Sequence, residues 1–296
     1  MASLEFLNED NIERYESFLG RCPNAMLYSS INYRRFLQRI LPAASSRYLL
    51  AVENGEVIGA LPTFVVDGPH GKVMNSLPFY GSNGGVLLSR DVVSSEKVAD
   101  LLLDGYDAMA VEEGIAVSTL ITSPLMTREE DPSHRFSSCL VDERIGQLTP
   151  LANAESSDCS GDDLMGLFHQ KTRNSVRKGL KSGFAFTHCD SLASMQRLAE
   201  LHATNMRAIG GLAKPEGVFD AIRNVFDYDR DYRVYTATID GEIVAALLVF
   251  FFNGIVEYFT PAVDENFRSQ QPMSALIFHA MQDSVQRGAR WWNWGG

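Results

Sequence analysis

Two stretches decide how this sequence is read: RYLLAVENGEVIGALPTFVV at 47–66 and RVYTATIDGEIVAALLVFFF at 233–252. Aligned without a gap, they share Arg, Ala, Gly-Glu, Ala-Leu and Phe at matching places. Each is an apolar run, a tight Asn-Gly or Asp-Gly turn and a second apolar run, the pattern of a β-hairpin. The surroundings repeat as well. The first hairpin is followed by GKVMNSLPF (71–79), a helical periodicity near 94–113 and IAVSTLIT (115–122). The second is followed by GIVEYFTPAV (254–263), a helical periodicity near 273–287 and ARWWNW (289–294). Gly114 and Gly288 stop the two helices directly ahead of their last strands.

Helices also precede each hairpin. In the first half, 9–19 and 30–40 carry apolar stripes, Ile12, Tyr15 and Leu19, then Tyr33, Phe36, Leu37 and Ile40. In the second, 162–181, 191–208 and 216–226 do the same, with a short strand FAFTHC after Gly183. The polar, Ser-rich segment 149–163 is the expected join, which predicts an N-terminal domain over 1–150 and a C-terminal one over 151–296. The expected class is α/β (α+β), each half a mixed central sheet flanked by helices. The chain ends on WNWGG, on what should be a central strand, so the second copy reads as truncated.

The totals narrow the function. A chain of 296 residues with 45% hydrophobic and 21% charged residues is expected to bury real cores. Its net charge of −11 argues against broad nucleic-acid affinity. Cys22, Cys139, Cys159 and Cys189 are scattered with no zinc spacing, so no metal site is expected. The membrane-like run 243–259 is interrupted by Asn253-Gly254 and reads as two buried strands rather than a spanning helix. With no basic-then-apolar leader, a cytoplasmic protein is expected.

Against that acidic total stands KTRNSVRKGLK, 171–181, with five basic side chains and no acid. On a helix, Lys171, Arg173, Arg177, Lys178 and Lys181 fall within an arc of roughly 160°. Met165, Phe168, Val176 and Leu180 lie around the other side, and Gly179 and Gly183 are expected to weaken the last turn. No Asp or Glu occurs from 164 to 189 to neutralise the cations. Such a face suits an anion, and Arg forks suit phosphate oxygens.

Helices, hairpin, strand, helix, strand is also the order of the GNAT acyltransferase fold. SLPFYGSNGGVLL, KTRNSVRKGLKSG and QPMSALIFHAMQDSVQRGARWWNWGG together resemble the Fem-type (FemAB-like) aminoacyltransferases that build peptidoglycan bridges. The resemblance covers nearly the whole chain and implies two tandem GNAT-like domains. It implies that Lys171, Arg173, Arg177 and Lys178 contact a phosphate-bearing cell-wall precursor, with Arg177 foremost. It places VEYFTPA beside the reacting carbonyl, where a backbone N–H of the earlier central strand polarises it. There Glu257 is either a base whose pKa burial raises or a carboxylate paired with a cation. Tyr258 points to the opposite face.

The pattern Q/R-x-x-G-x-G/A that cradles the pyrophosphate of acetyl-CoA is altered. In FRSQQPMSAL, Arg268 holds the first position, but Gln271 and Met273 replace the glycines. That counts against acetyl-CoA and implies another donor, an aminoacyl-tRNA or an acyl carrier, with no resident cofactor. The reading is an acyltransferase acting on an amine of an anionic cell-envelope precursor. The alternatives are a CoA- or acyl-carrier-dependent N-acyltransferase of polysaccharide or lipid synthesis, and a non-catalytic nucleotide-sugar-binding module.

Overall fold

The computed structural model of the protein describes residues 2–76, 83–127, 131–135, 138–143, 145–151 and 161–295. The chain divides into two compact units, Met1–Ile145 and Gly146–Gly295.

The N-terminal unit runs β1 (Ser3–Phe6), α1 (Ile12–Gly20), α2 (Ile31–Ile40), β2 (Ala44–Ser46), β3 (Leu49–Glu53) and β4 (Glu56–Leu61). It continues with β5 (Phe64–Gly68), β6 (Gly71–Ser76), β7 (Leu87–Leu88), α3 (Ser95–Glu112) and β8 (Ile115–Leu120). The hairpin β3–β4 closes at Asn54 and Gly55, both with positive φ, as a tight Asn-Gly turn requires. The sequence predicts one mixed sheet here; the described residues form two, ordered β1-β3-β4-β7 and β2-β5-β6-β8. The second apolar run of the hairpin breaks at Pro62-Thr63. Proline has no N–H for the ladder, and Phe64–Gly68 pairs instead with β2 and β6. The parallel pair of this unit is β6–β8. Tyr106 of α3 is buried and donates to the Thr119 carbonyl at 3.1 Å, which ties helix to strand. Part of the glycine stretch SLPFYGSNGGVLL, residues 77–82, lies outside the described residues.

The C-terminal unit runs β9 (Leu148–Pro150), α4 (Gly161–Gly166), α5 (Gln170–Lys181), β10 (Ala185–His188), α6 (Leu192–Ala208) and α7 (Glu216–Val225). It ends with β11 (Tyr232–Ile239), β12 (Glu242–Phe252), β13 (Ile255–Val263), α8 (Pro272–Gln286) and β14 (Trp291–Asn293). Here a single sheet forms, ordered β10-β11-β12-β13-β14-β9, and its parallel pair is β13–β14. The run 243–259 is indeed two strands, and both faces of β12 are buried, which explains its unbroken apolar sequence. Leu247, Val249, Val256 and Trp292 face a core shared with Val176 of α5 and Leu276 and Met281 of α8. The alternate residues face α6 and α7, where Phe226 and Phe250 rings meet at 4.7 Å.

The basic helix departs from expectation in three ways. It is not one helix over 162–181: α4 and α5 are separated at Leu167–His169, and His169 caps α5 by accepting from the Lys171 N–H at 3.4 Å. Leu180 is exposed rather than packed, and the buried residues of α5 are Val176 and Gly179. Gly179 is also not a weak point but the packing contact itself. A Cβ there would stand 2.4 Å from the Gln271 carbonyl oxygen and 2.7 Å from Ala275 Cβ. The helix ends at Ser182, with Gly183 in the left-handed conformation (φ 79°).

At the other end of α8, Arg233 donates to Asp283 and Asp229, and the Tyr235 hydroxyl donates to Asp283, which fastens β11 to the helix. His188 meets the Tyr228 hydroxyl at 2.7 Å, and His279 stacks on Phe186. Burial, helped by Arg233, lowers the His188 pKa, and burial lowers that of His279.

Two outcomes follow. Gly179→Ala separates α5 from α8 and lowers the thermal midpoint, at a cost of about 1–3 kcal/mol; a midpoint equal to wild type shows that the contact is slack. The histidines are favoured neutral in the fold, so their contribution is full above an unfolded imidazole pKa of 6.5 and is lost as pH falls toward their lower folded values. Thermal midpoints therefore drop below that pH, and His279→Gln makes the drop shallower.

Candidate active site of the C-terminal unit

The two central parallel strands pair over three residues only. Ile255, Val256 and Glu257 stand opposite Trp291, Trp292 and Asn293. Beyond them β13 runs on to Val263 without β14. At the far end of the gap, Asn205 of α6 takes the place of a strand. It accepts from the Val263 N–H at 2.9 Å and donates to the Val263 carbonyl at 2.8 Å. Counting back two residues along that edge reaches Pro261, which has no N–H to leave unpaired. Against β12 the register jumps from Leu248↔Thr260 to Val249↔Tyr258, so Phe259 is the extra residue of a β-bulge. A bulge re-aims side chains, and this one lies next to the point where the strands part.

Glu257 is 2% exposed, and its Oε2 accepts from Asn293 Nδ2 at 2.7 Å, directly across the strand pair. Asn293 Oδ1 in turn accepts from the Gly295 N–H at 3.1 Å. Burying a carboxylate is expensive unless it is hydrogen-bonded, and this pair supplies a bond from a neutral donor. Asn293 is thus a hydrogen-bond partner that holds this buried group in place. Thr260 follows on the same face, its hydroxyl buried without a hydrogen-bond partner among the described residues. Tyr258 points the other way and packs against Trp294 at 5.3 Å and Trp292 at 6.2 Å. Burial pushes its hydroxyl up to about 12, so it stays neutral near pH 7.

The cations gather on the other side of the sheet. Lys171, Arg177, Lys178 and Lys181 are exposed, while Arg173 is half-buried and donates to Gln170 Oε1 at 2.7 Å. None of the five forms an ion pair among the described residues. Ser182, just past the end of α5, donates to the Gln270 carbonyl at 3.3 Å, so Lys178 and Lys181 come to the start of α8. Arg268 is also there, exposed on the 3-10 turn Glu265–Gln270. This is the end of the sheet at which β13 leaves β14. The structure therefore brings the C-terminal α5 cations and Arg268 to one end of α8, and the sheet stands between them and Glu257.

Asn293 and Asn205 carried no sequence signal of their own.

Residues 168–296 match the acetyltransferase (GNAT) domain family. No curated protein matches the chain by sequence. Among solved structures, FemX is similar over 99% of this chain and 88% of its own, with a TM-score of 0.76 and 15% identity. L-PGS from Bacillus licheniformis is similar over 96% of this chain and 75% of its own, with a TM-score of 0.57 and 15% identity. A tandem GNAT protein from the clavulanic acid biosynthesis pathway covers 98% of this chain and 89% of its own, with a TM-score of 0.53 and 15% identity. At such identities the likeness is one of fold, and the fold is a tandem GNAT architecture. The family match falls within the C-terminal unit, which has the fold of a GNAT-type acyltransferase. No helix among the described residues is long and apolar enough to cross a membrane.

Asn293→Ala leaves a buried carboxylate oxygen without its donor and costs about 1–3 kcal/mol or more. Chemical denaturation measures it, and a loss below 0.5 kcal/mol, on the order of a surface change, shows that this bond does not hold Glu257.

Proposed function

We propose that the C-terminal unit transfers an acyl group to an amine on an anionic, phosphate-bearing cell-envelope precursor. The observation that carries this is the parting of β13 from β14 beside a buried carboxylate, with cations at the same end of the sheet that form no ion pair among the described residues. In this reading Arg177, Lys178, Lys171 and Arg173 of α5, with Arg268, hold the phosphate groups. Arginine forks give paired hydrogen bonds, and the lysines add mobile charge. Tyr258, with Trp292 and Trp294, forms an apolar wall on that side.

In the transfer, the amine nitrogen attacks the acyl carbon, the bond from that carbon to the donor's leaving atom breaks, and the amine proton must leave. Glu257 is the proposed acceptor of that proton, which it then returns to the leaving group. Its hydrogen bond to Asn293 fixes the orientation of the carboxylate.

The start of α8 favours a donor other than acetyl-CoA. Gln271 takes the left-handed conformation (φ 64°) that a glycine would hold there. Its side chain folds over the helix start, donating to the Arg268 carbonyl at 3.2 Å and accepting from Ser274 Oγ at 3.1 Å. Met273 packs against the core beside it. A pyrophosphate at these N–H groups would have to displace the Gln271 side chain. An aminoacyl-tRNA or an acyl carrier avoids that demand.

A thermal-shift panel of UDP-sugar precursors and acyl-CoAs, run on wild type, Arg177→Ala and Glu257→Gln, tests the reading. A UDP-sugar precursor is expected to raise the midpoint of wild type and Glu257→Gln but not of Arg177→Ala. Amide formation is expected to fall at least about a hundredfold in Glu257→Gln. An acyl-CoA shift that survives in Arg177→Ala points instead to a coenzyme-dependent N-acyltransferase. Full turnover in Glu257→Gln removes this residue from the chemistry.

A further inference from the structure

The segment joining α6 to α7 contains one charged side chain placed in an unusual way. The main-chain N–H of Lys214 donates to His202 Nε2 at 3.2 Å, which puts the imidazole proton on Nδ1. His202 itself is buried on α6 and packs edge-on against Phe219. From that anchor the Lys214 side chain reaches over the sheet, its ammonium 5.0 Å from the centre of the Phe259 ring. Phe259 is the bulge residue, two positions beyond Glu257, and it meets Phe250 edge-on at 5.0 Å on the α6 face. The next residue along β13 is Thr260, whose buried hydroxyl has no partner among the described residues. Lys214 is half-buried and makes no ion pair among the described residues. Burial alone lowers its pKa.

A cation over an aromatic face recovers only part of what an ammonium loses on leaving water. An oxyanion beside it restores the balance through a charge-assisted hydrogen bond, stronger here than in bulk water because the surroundings are apolar. The α5 cations cannot serve this place, since they stand across the sheet.

We infer that Lys214 is an anion-binding residue on the α6 face of the sheet, holding a carboxylate or phosphate oxygen of a reactant at the Phe259 bulge. The inference rests on the acyl-transfer reading for the identity of that reactant, but the binding itself is independent of it.

The chain has six lysines, Lys72, Lys97, Lys171, Lys178, Lys181 and Lys214, so each can be followed by peptide mass spectrometry during reductive methylation of the native protein. The reaction is run in sodium pyrophosphate, sodium acetate or sodium chloride at one ionic strength. Methylation of Lys214 is expected to slow several-fold in pyrophosphate or in acetate relative to chloride, while Lys72 and Lys97 are unchanged. Protection by pyrophosphate alone assigns a phosphate group, and protection by acetate alone assigns a carboxylate. A Lys214 rate equal in all three salts, or slowed no more than those of Lys72 and Lys97, overturns the inference. Lys171, Lys178 and Lys181 report on the α5 site in the same samples. Loss of protection there with Lys214 still shielded counts against the α5 reading alone, and the reverse pattern against this one alone.

Discussion

The position of the cationic edge depends on one close approach. At Gly179 the absence of a side chain lets the backbone of α5 come against the Gln271 carbonyl and Ala275 of α8, with no room for even a methyl group. Val176 is buried on the same side, and the cations of α5, which form no ion pair among the described residues, lie on its more exposed face. Because Gly179 meets the first turn of α8, the end of α5 is held at the end of the sheet where the strands part. Five like charges on one short helix repel each other. Packing through an uncharged, small position fixes that helix without using any of those charges in the contact.

A second constraint operates inside the sheet. Three residues of parallel pairing between β13 and β14 place Asn293 opposite Glu257, and the pairing ends there. The freed edge of β13 is not left with unsatisfied groups. Asn205 covers Val263, and Pro261 offers no donor. The bulge at Phe259 then turns the following side chains, so that the ammonium of Lys214 comes over its ring on the α6 face. Cations on one side of the sheet and a buried carboxylate with a half-buried lysine on the other give the C-terminal unit two chemically different faces that meet at the gap.

The repeat was legible because both halves carry the same local signals. Asn54-Gly55 and Asp240-Gly241 form tight turns of positive φ, and Gly114 and Gly288 end their helices as expected. Period-2 and period-3.6 patterns in the C-terminal half translated almost directly into β11 to β14 and α6 to α8. The errors arose where one residue had two possible uses. Pro62 lies inside an apolar run that reads as one hairpin strand, although its missing N–H sends the chain into another sheet. At Gly179 the local sequence shows only a low helix propensity, because the neighbour that requires a glycine is about ninety residues away in sequence.

The sequence by itself determined the element order in each half, the cationic composition of α5 and the presence of an acidic residue on the central strand of the C-terminal unit. These follow from side-chain periodicity and turn chemistry, which act over a few residues. Only the tertiary structure decided that Glu257 is held by Asn293, that the sheet divides it from the α5 cations, and that Lys214 reaches the bulge at Phe259. Each of these depends on strand register and on which face a helix covers. A shift of one residue in register would turn Glu257 to the opposite face, and the local sequence sets no such register on its own.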